Sequence, residues 1–474
     1  MTTNPTPTAR ALQSATGQSP TGQSATGLRG SLTLPGDKSI SHRALLLNAL
    51  AKGEARVEGF LPSDDCLSSM ACLRAYGVDF DYDPTTSPTT VIVRSPGLEA
   101  FTEPDRILDC GNSGTTMRLL SGLAAGFDGI SFLDGDTSLR RRPMDRVLRP
   151  LQSMGAQVDA RQGGRLAPLT IRGASHSSAD RTSANQLRPF DGRLEVASAQ
   201  VKSAVLIAAL SAAGMSTIEE IGPTRDHTEI MLRAMGASIA GTPLANGGTR
   251  IEVQPGADLH PIDLVVPGDI SAAAFWLVAG TIVPDSEIHL QGVGLNPTRS
   301  GILDILNAMG ANIEVQEERR VGGEAVADLV VRSAPLHGIT IDGPLVTRAI
   351  DEFPVIAVAA AVATGRTEVR DAAELRLKES DRVASTVAML QALGANIEPR
   401  DDGFVVAGSG SGHNAALRGA RLDSVGDHRL AMAAAVAALV AEGDSELHGA
   451  ESVAISYPEF WRHLADLTGT GALT

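Results

Sequence analysis

Apolar positions along the chain fall into long helical runs and short strand-like runs. Six long runs are apolar on almost every face and end near a glycine: KSISHRALLLNALAKG, GNSGTTMRLLSGLAAG, SAQVKSAVLIAALSAAG, GDISAAAFWLVAG, DEFPVIAVAAAVATG and GDHRLAMAAAVAALVAEG. A helix that is apolar all round must lie in a core, so these runs predict six buried helices. The runs between them, such as TVIVRS and RIEVQ, alternate or are rich in β-branched residues, which predicts strands.

A second helix ending recurs with the form LxxxG followed by a strand-like run. Its six instances end at Gly77, Gly155, Gly236, Gly310, Gly394 and, more weakly, Gly469. These glycines lie 74 to 84 residues apart, which predicts six copies of one unit of strands and two helices, three copies to a domain. We expect each glycine to cap the end of its helix, and a domain crossover at residues 262–267. Chance matches in an Ala- and Leu-rich chain are the alternative.

Composition excludes several classes of function. The 474 residues carry a formal net charge of -15 and 3% aromatics, which argues against a basic or stacking surface for nucleic acid. The apolar runs are shorter than the roughly 18 residues that span a bilayer, so no membrane segment is expected. Cys66, Cys72 and Cys110 form no CxxC pair, so neither disulfides nor zinc are indicated and a reducing cytoplasm fits. Residues 1–27 are polar and nearly repetitive, which predicts a disordered tail.

Polar residues of chemical interest gather at the starts of the buried helices. In GDKSISHR, Lys38, Ser39 and Arg43 begin a helix that Ser39 or Ser41 can cap. Free backbone N–H groups and the positive end of the helix dipole favour a phosphate or carboxylate there. For one such motif alone, a capped helix with solvated Lys and Arg side chains is the more ordinary interpretation.

The same arrangement recurs at the other buried helices. Their starts carry residues 112–116, residues 198–202, Asp351 and residues 427–429. If the copies stack alike, these starts point in one direction, and two facing domains would bring them to one cleft that attracts anions. The second helices add Arg142, Arg225, Arg299, Lys378, Glu379 and Arg382.

Seven motifs in order then resemble one enzyme family. They are GDKSxxxR, GNSGTTxR, RRRPM, SAQVK, RDHTE, KESDR and GDHR. The set resembles the 5-enolpyruvylshikimate-3-phosphate (EPSP) synthases, or 3-phosphoshikimate 1-carboxyvinyltransferases, from about residue 28 to the end. The resemblance implies an α/β (α+β) fold of two inside-out α/β barrel domains with six βαβαββ units, the enolpyruvyl transferase fold. The expected bounds are 38–263 for the N-terminal domain and 28–37 plus 264–474 for the C-terminal domain.

The family implies a transferase that moves the enolpyruvyl group of phosphoenolpyruvate to the 5-hydroxyl of shikimate-3-phosphate and releases phosphate. This reaction belongs to the shikimate pathway, which leads to chorismate and the aromatic amino acids. It implies no metal and no organic cofactor. The expected partners are the two small substrates, without nucleic acid or membrane, and the chain is expected to be a cytoplasmic monomer.

The resemblance also assigns site residues. Those expected to hold shikimate-3-phosphate are Lys38, Ser39, Arg43, Ser198, Ala199, Gln200, Thr224 or Arg225, Asp351 and Lys378. Those expected to hold phosphoenolpyruvate are Lys38, Gly114, Arg142, Gln200, Arg382 and Arg429. Lys38, Asp351 and Glu379 are the expected catalytic residues, with Asp351 on the hydroxyl side and Glu379 on the methylene side of proton transfer. Both substrates carry phosphate and carboxylate groups, which Arg and Lys neutralise and orient.

The chain departs from the family pattern at three places. Ile455 or Ser456 stands where the family often has a Lys that contacts phosphoenolpyruvate, and Lys202 is the expected replacement. Glu374 and Ala199 stand where an Asn and a Ser are expected.

Sensitivity to glyphosate, which binds in place of phosphoenolpyruvate in this family, is also indicated by the motifs. GDKS, SAQVK, RDHTE and NPTR resemble the class II subset, which is associated with reduced sensitivity. Gly114 points the other way, because a methyl group there would shorten the pocket. We expect inhibition that is competitive with phosphoenolpyruvate but weak.

Two other functions compete with this interpretation. The sister enzyme that transfers enolpyruvate to UDP-N-acetylglucosamine shares the fold, but it is expected to show Lys-Asn in place of Lys38 and Ser39 and a reactive loop Cys. A repeat scaffold that binds partners without chemistry would leave the positive helix starts without a purpose.

Overall fold

The helices of the computed structural model follow the apolar runs, within the described residues 9–12, 27–173, 187–410 and 417–469. The helices of these ranges are α1 Lys38–Leu50, α2 Asp64–Ala75, α3 Gly114–Gly126, α4 Asp145–Ser153, α5 Arg161–Gly164, α6 Ala199–Ala209, α7 His227–Ala234, α8 Ile270–Ile282, α9 Gly301–Met309, α10 Pro344–Arg348, α11 Phe353–Val362, α12 Arg382–Ala392, α13 His428–Ala438 and α14 Phe460–Thr468.

Strands occupy the alternating and β-branched runs between the helices. They are β1 Ala9–Leu12, β2 Arg29–Thr33, β3 Gly53–Glu58, β4 Asp79–Asp81, β5 Val91–Ser95, β6 Leu108–Asp109, β7 Ile130–Asp134, β8 Gln157–Ala160, β9 Leu166–Arg172, β10 Asp191–Arg193, β11 Ser216–Glu219, β12 Ile239–Pro243, β13 Thr249–Val253, β14 Leu264–Val265, β15 Glu287–Gly294, β16 Asn312–Val321, β17 Glu324–Arg332, β18 Thr340–Ile341, β19 Thr364–Val369, β20 Asn396–Arg400, β21 Gly403–Ser409, β22 Arg421–Asp423 and β23 Ser445–His448.

The chain divides into two units. The N-terminal unit comprises Gly36–Pro267 and Arg320–Glu324, and the C-terminal unit comprises Met1–Pro35, Gly268–Arg319 and Ala325–Thr474. The expected bounds therefore shift. Residues 264–267, expected in the C-terminal domain, lie in the N-terminal unit because β14 pairs in parallel with β3 there.

Each unit contains three sheets among its described residues. The strand orders are β14-β3-β5-β4, β6-β7-β9-β8 and β10-β11-β13-β12 in the N-terminal unit, and β16-β17-β15-β2, β18-β19-β21-β20 and β1-β23-β22 in the C-terminal unit. The second sheet shows the pattern: β6 is parallel to β7, which is antiparallel to β9, which is antiparallel to β8. With α3 after β6 and α4 after β7, this copy has the order βαβαββ.

The first and fourth copies exchange their first strands. β2 precedes α1 in the chain, yet it pairs in parallel with β15 of the C-terminal unit. β14 precedes α8, yet it pairs with β3 of the N-terminal unit. The chain therefore passes from one unit to the other at residues 35–36 and 267–268, and again on either side of Arg320–Glu324.

Within residues 1–27, for which a disordered tail is expected, Ala9–Leu12 form the strand β1, while residues 1–8 and 13–26 lie outside the described residues. β1 pairs antiparallel with β23, with Leu12 opposite Ser445. Leu12 is buried, and the Arg10 guanidinium lies 4.3 Å from the centre of the Trp461 ring. Burial of Leu12 and the cation–π contact of Arg10 stabilise this short strand, although the neighbouring residues in the sequence are polar.

Three helices lie in the middle of each unit. They are α1, α3 and α6 in the N-terminal unit and α8, α11 and α13 in the C-terminal unit, and nearly all their apolar side chains are buried. Two apolar cores, one to a unit, form around them. At the crossing of α3 and α6, a Cβ on Gly122 would come within 2.2 Å of the Ala204 carbonyl oxygen. A glycine is therefore required for the close approach of the two backbones.

The second helices end as the repeat predicts. Gly77, Gly155, Gly236, Gly310, Gly394 and Gly469 all have positive φ angles between 65° and 105°. This is the left-handed conformation with which glycine commonly ends a helix.

Candidate active site

The start of α1 presents Lys38 beside an acidic partner. The Asp37 carboxylate, rather than Ser39 or Ser41, caps the helix, because its Oδ1 accepts a hydrogen bond from the Ile40 backbone N–H at 2.9 Å. Lys38 Nζ lies 2.5 Å from Oδ2 of Asp65 at the start of α2. Asp65 belongs to none of the seven motifs, although the acidic pair after Ser63 in SDDC places it in the first turn of a helix. The carboxylate fixes the ammonium group in position.

Arg43 is buried and connects three helices. Its Nε donates to Oγ1 of Thr228 on α7 at 2.7 Å, and its Nη2 donates to Oγ of Ser203 on α6 at 2.8 Å. Its Nη1 donates to the Ser39 carbonyl oxygen at 3.0 Å. These hydroxyl and carbonyl contacts fix the orientation of the guanidinium plane.

The start of α3 places Gly114 between two guanidinium groups. Ser113 caps the helix, accepting from the Thr116 N–H at 3.1 Å. A Cβ on Gly114 would lie 2.8 Å from Nη1 of Arg118 and 3.4 Å from Nη1 of Arg142. Arg142 is held in turn by the Asn112 side-chain oxygen, which accepts from its Nη2 at 2.6 Å.

Gln200, in the first turn of α6, is held from two sides by α3. Its Oε1 accepts from Nη1 of Arg118 at 2.5 Å, and its Nε2 donates to Oγ1 of Thr115 at 2.8 Å. Ser198 is the N-cap of the same helix and Ala199 its first residue. Arg118 is thus a further candidate site residue, and the motif GNSGTTxR already places it one helical turn after Gly114.

Lys202 is not a replacement for the missing family lysine. Its side chain is 1% exposed, and its Nζ lies 2.9 Å from Oε1 of Glu220 and 2.7 Å from Oε1 of Glu229. Burial alone would lower the pKa of Lys202, but the charges of Glu229 and Glu220 raise it overall. The Lys202 ammonium group is therefore already paired with two buried carboxylates. Glu220 also accepts from the hydroxyl of Thr224 at 2.5 Å, and Arg225 follows in the same loop.

In the C-terminal unit, one arginine forms ion pairs with three carboxylates that lie at the starts of α11, α12 and α13. Arg382, 1% exposed, contacts Asp351 at 3.2 Å, Glu379 at 2.6 Å and Asp427 at 2.8 Å. Burial alone would lower the pKa of Arg382, but these charges raise it overall. Lys378 contacts the same oxygen of Asp351 at 3.2 Å. Both expected proton-transfer carboxylates are therefore oriented by cations.

Asp427 is expected from the sequence only as part of a helix start, but in the structure it also contacts the buried Arg382. It caps α13 and accepts from Nε of Arg382 and from the Ser380 hydroxyl. Burial alone would raise the pKa of Asp427, yet the Arg382 charge keeps it below its ordinary value. Asp427 thus supplies the fully buried counter-charge of Arg382.

Arg429 lies beside a second buried carboxylate, Glu352, which the sequence assignment also missed. Its Nη1 is 3.6 Å from Oε1 of Glu352, the N-cap residue of α11. The same oxygen accepts from the Ser271 hydroxyl on α8, to which Arg299 also donates. A chain of polar contacts thus joins Arg429 to Arg299. Glu374 lies in a short 3-10 helix, Ala373–Leu377, and Ile455 ends another, Ala450–Ile455.

The cysteines do not form a reactive loop. Cys66, Cys72 and Cys110 are buried and free. Burial raises the pKa of the Cys66 thiol to about 12, which makes it a poor nucleophile. Among the described residues, no three His, Cys, Asp or Glu side chains are grouped to hold a metal ion. No described helix has the length and apolarity needed to cross a bilayer.

The motifs and this geometry agree with the comparisons to known proteins. A family model described as EPSP synthase (3-phosphoshikimate 1-carboxyvinyltransferase) matches residues 23–464. The chain belongs to the EPSP synthase family. The 3-phosphoshikimate 1-carboxyvinyltransferase of Synechococcus sp. (strain RCC307) is 51% identical over 93% of this chain and 97% of its own, and that of Roseiflexus castenholzii is 52% identical over 92% and 96%.

Solved structures support the same family. The EPSP synthase of Acinetobacter baumannii has a TM-score of 0.83 and 37% identity, covering 98% of both chains. The enolpyruvyl transferase NikO of Streptomyces tendae shares the fold, with a TM-score of 0.73 at 19% identity. The predicted fold is confirmed, and so is a transferase of the shikimate pathway to aromatic amino acids, the family that glyphosate targets.

Proposed function

We propose that this chain transfers the enolpyruvyl group of phosphoenolpyruvate to the 5-hydroxyl of shikimate-3-phosphate through the residues assigned above. The observation that supports this best is the placement of Lys38, Arg43 and Arg142. All three lie at or next to the start of a buried helix, and each has a side-chain partner that orients its charge. Cations held in this way, close to free backbone N–H groups, bind phosphate and carboxylate groups.

In the N-terminal unit, Lys38 would contact both substrates, and Arg43, Ser39, Ser198 and Thr224 or Arg225 would hold shikimate-3-phosphate, with Ala199 and Gln200. Gly114, Arg142 and Gln200 would hold phosphoenolpyruvate. The buried position of Arg43 and its hydroxyl partners are consistent with recognition of an anion by a pre-oriented guanidinium.

In the C-terminal unit, Lys378 would hold shikimate-3-phosphate, and Arg382 and Arg429 would hold phosphoenolpyruvate. Asp351 would accept the proton of the 5-hydroxyl as its oxygen forms a bond to C2 of phosphoenolpyruvate. Glu379 would deliver a proton to C3, giving a tetrahedral intermediate. Glu379, now a carboxylate, would then take a proton back from the C3 methyl group as phosphate departs from C2, which restores the double bond. The contacts of both carboxylates with Arg382 support these roles.

A monomeric state and a cytoplasmic location complete the proposal. Each unit has its own apolar core, and the three free cysteines fit a reducing compartment. Sedimentation equilibrium at two protein concentrations tests the first point. A molecular mass that rises with concentration would contradict it.

The decisive experiment is a continuous assay of phosphate release with both substrates, compared with reactions that omit either one. We expect release only with the pair, and none when UDP-N-acetylglucosamine replaces shikimate-3-phosphate. A Lys38→Ala variant with an unchanged circular dichroism spectrum should lose most of this activity, since one charge-assisted contact is worth about 2 to 4 kcal/mol in the transition state. Phosphate release with the sugar nucleotide, or near-normal turnover of a folded Lys38→Ala protein, would overturn the assignment.

A further inference from the structure

A buried ion triad in the N-terminal unit consists of Lys202, Glu220 and Glu229. Its members are 1%, 3% and 4% exposed at their side chains, and both carboxylates contact the same ammonium nitrogen. No role is expected from the sequence for Glu220 or for Glu229, the last residue of RDHTE, and burial excludes the role expected for Lys202. The triad therefore needs a different explanation.

The triad joins three segments: two carry proposed substrate contacts, and the third holds the side chain of a third proposed contact, Arg43. Lys202 lies one turn after Ser198, the N-cap of α6, and Glu229 lies on α7 next to Thr228, which accepts from Arg43. Glu220 lies at the start of the loop that leads to Thr224 and Arg225. One ammonium group thus contacts carboxylates from the two segments that follow α6 in the chain.

The contacts of Glu220 are directional. Its Oε1 is shared by Lys202 and by the hydroxyl of Thr224, which donates to it at 2.5 Å. Its Oε2 accepts from the Thr249 backbone N–H at 3.0 Å, and its own carbonyl oxygen accepts from the Asn246 side chain at 3.0 Å. Glu220 therefore fixes the Thr224 hydroxyl between α6 and the turn that joins β12 to β13.

A second connection runs beside the first. The Ser203 and Thr228 hydroxyls are 2.7 Å apart, and both accept from Arg43. A small shift of α7 against α6 would therefore change the position of the Arg43 guanidinium as well as that of Thr224. The two proposed contacts to shikimate-3-phosphate share one buried support.

Stability alone does not explain the triad. A buried ion pair is seldom more stabilising than apolar side chains of similar size, because each charge loses its hydration. Here a second carboxylate is buried as well, and Oε2 of Glu229 accepts no hydrogen bond from the described residues. Unlike apolar side chains, ions make directional contacts. Such contacts are useful where side chains must be placed to within a fraction of an ångström.

We infer that Lys202, Glu220 and Glu229 are positioning residues that hold Thr224, Arg225, Arg43 and the start of α6 in the geometry that binds shikimate-3-phosphate. This inference rests on the proposed function. It assigns the triad to affinity for that substrate and not to the chemical step.

The test measures the dissociation constant of shikimate-3-phosphate by calorimetry, and KM and kcat by phosphate release. In Lys202→Met we expect affinity for shikimate-3-phosphate to fall at least tenfold, with kcat at saturation within about threefold of the wild type. Glu220→Gln keeps the size of the side chain and is the second variant, so that a Lys202→Met protein that does not fold leaves the inference testable. It should show the same loss to a smaller extent, and Lys202→Arg should restore part of the affinity.

The matched control is Tyr76→Phe, which removes another fully buried polar contact of the same unit. The Tyr76 hydroxyl is 2.6 Å from that of Ser131, at the end of α2 opposite to Asp65. We expect this variant to lower the melting temperature without changing the dissociation constant. If folded Lys202→Met and Glu220→Gln bind shikimate-3-phosphate as tightly as the wild type, the inference is wrong. If the wild type releases no phosphate from the two substrates, the proposed function fails instead.

Discussion

At the scale of single residues, the charge of each proposed site is set by specific partners. Lys38 is paired with Asp65, Arg382 with three carboxylates, and Arg43 with hydroxyl groups. The charge of Arg382 is largely compensated by its three carboxylates, so we expect it to contribute direction more than net charge towards an anion.

The methyl group of a Gly114→Ala variant would meet Arg118 at 2.8 Å, and Arg118 is not free to move because it holds Gln200. We expect the inhibition constant of glyphosate, measured in competition with phosphoenolpyruvate, to rise at least tenfold. KM for phosphoenolpyruvate should rise less, because the substrate is smaller than the inhibitor.

The control is Gly126→Ala, at the other end of the same helix, where the added Cβ would meet the Ser211 hydroxyl at the same distance of 2.8 Å. It should leave both constants unchanged. Inhibition by glyphosate that phosphoenolpyruvate cannot relieve, or an unchanged inhibition constant in Gly114→Ala, would remove Gly114 from the site.

Asp351 and Glu379 should be needed for the chemical step more than for binding. Asp351→Asn and Glu379→Gln keep the shape of each side chain but remove the base or acid. We expect kcat to fall at least a hundredfold in each, the range that general acid–base catalysis contributes. Dissociation constants of the substrates should change much less. Weaker binding with an unchanged rate in a single-turnover experiment would show that the roles are wrong.

At the scale of elements, a buried series of hydrogen bonds joins three helices of the N-terminal unit. Nδ1 of His42 on α1 is 2.8 Å from the Ser69 hydroxyl on α2, which is 2.7 Å from the Thr116 hydroxyl on α3. Thr116 donates in turn to the capping hydroxyl of Ser113 at 2.7 Å. Such a series holds the three helices in fixed relation.

His42, at one end of this series of hydrogen bonds, predicts that the stability of the fold depends on pH. Burial lowers the pKa of His42 to about 3, with Asp65 and Asp37 opposing and Lys38 and Arg43 adding to the shift. In the unfolded chain, His42 binds a proton with its ordinary pKa of about 6.5. Its contribution to folding stability is therefore fully present above that pH and is lost as the pH decreases towards 3. Between about pH 7.5 and about pH 5, His42 should account for a loss of about 2 kcal/mol.

Urea unfolding of the wild type and of His42→Gln at these two pH values measures the effect. The variant is expected to be less stable at the higher pH but to lose less stability on acidification. Equal losses in both proteins would mean that another group carries the proton.

The short strand β1 has a predictable effect on stability. It takes the place beside β23 that β21 takes beside β19, antiparallel to the middle strand of its sheet. Leu12→Ala should destabilise the C-terminal unit by about 2 to 4 kcal/mol, the usual loss for a buried leucine. Thermal unfolding followed by calorimetry checks this, with Ala11→Ser, an exposed position of the same strand, as control. An unchanged transition in Leu12→Ala would show that β1 is not bound in solution.

Sequence patterns predicted the elements better than their partners. The LxxxG glycines and the apolar runs are local signals, and each of them produced the expected helix. β1 gave no such signal, since four residues become a strand only by pairing with β23 from the other end of the chain. Lys202 was misassigned for a related reason: its partners Glu220 and Glu229 come from later segments, and the sequence does not show that the side chain points inward. Asp37 and Ser39 are both good capping residues, and only the backbone decides between them.

At the scale of the whole molecule, the chain is acidic while its proposed substrates are anions. The formal net charge is -15, so long-range forces repel phosphate and carboxylate groups. The proposed contact residues Lys38, Arg43, Arg142 and Arg429 would attract them only at short range. Salt screens both the repulsion and the attraction. Weaker repulsion raises the affinity for the substrates, whereas weaker attraction lowers it.

The sign of the salt effect on shikimate-3-phosphate affinity therefore tells which of the two effects dominates. We expect affinity to fall as ionic strength rises from about 20 mM to about 300 mM, because the bound substrate lies well within one Debye length of the cations but not of most surface carboxylates. Calorimetry in potassium fluoride, whose strongly hydrated anion binds cation sites weakly, and in potassium chloride measures this and separates screening from direct competition by chloride for the cation sites. A fall in both salts supports local attraction, and a fall in chloride alone indicates competition. Affinity that rises with salt would show that the net charge of the chain governs binding, and would place the substrate farther from Lys38 and Arg43 than proposed.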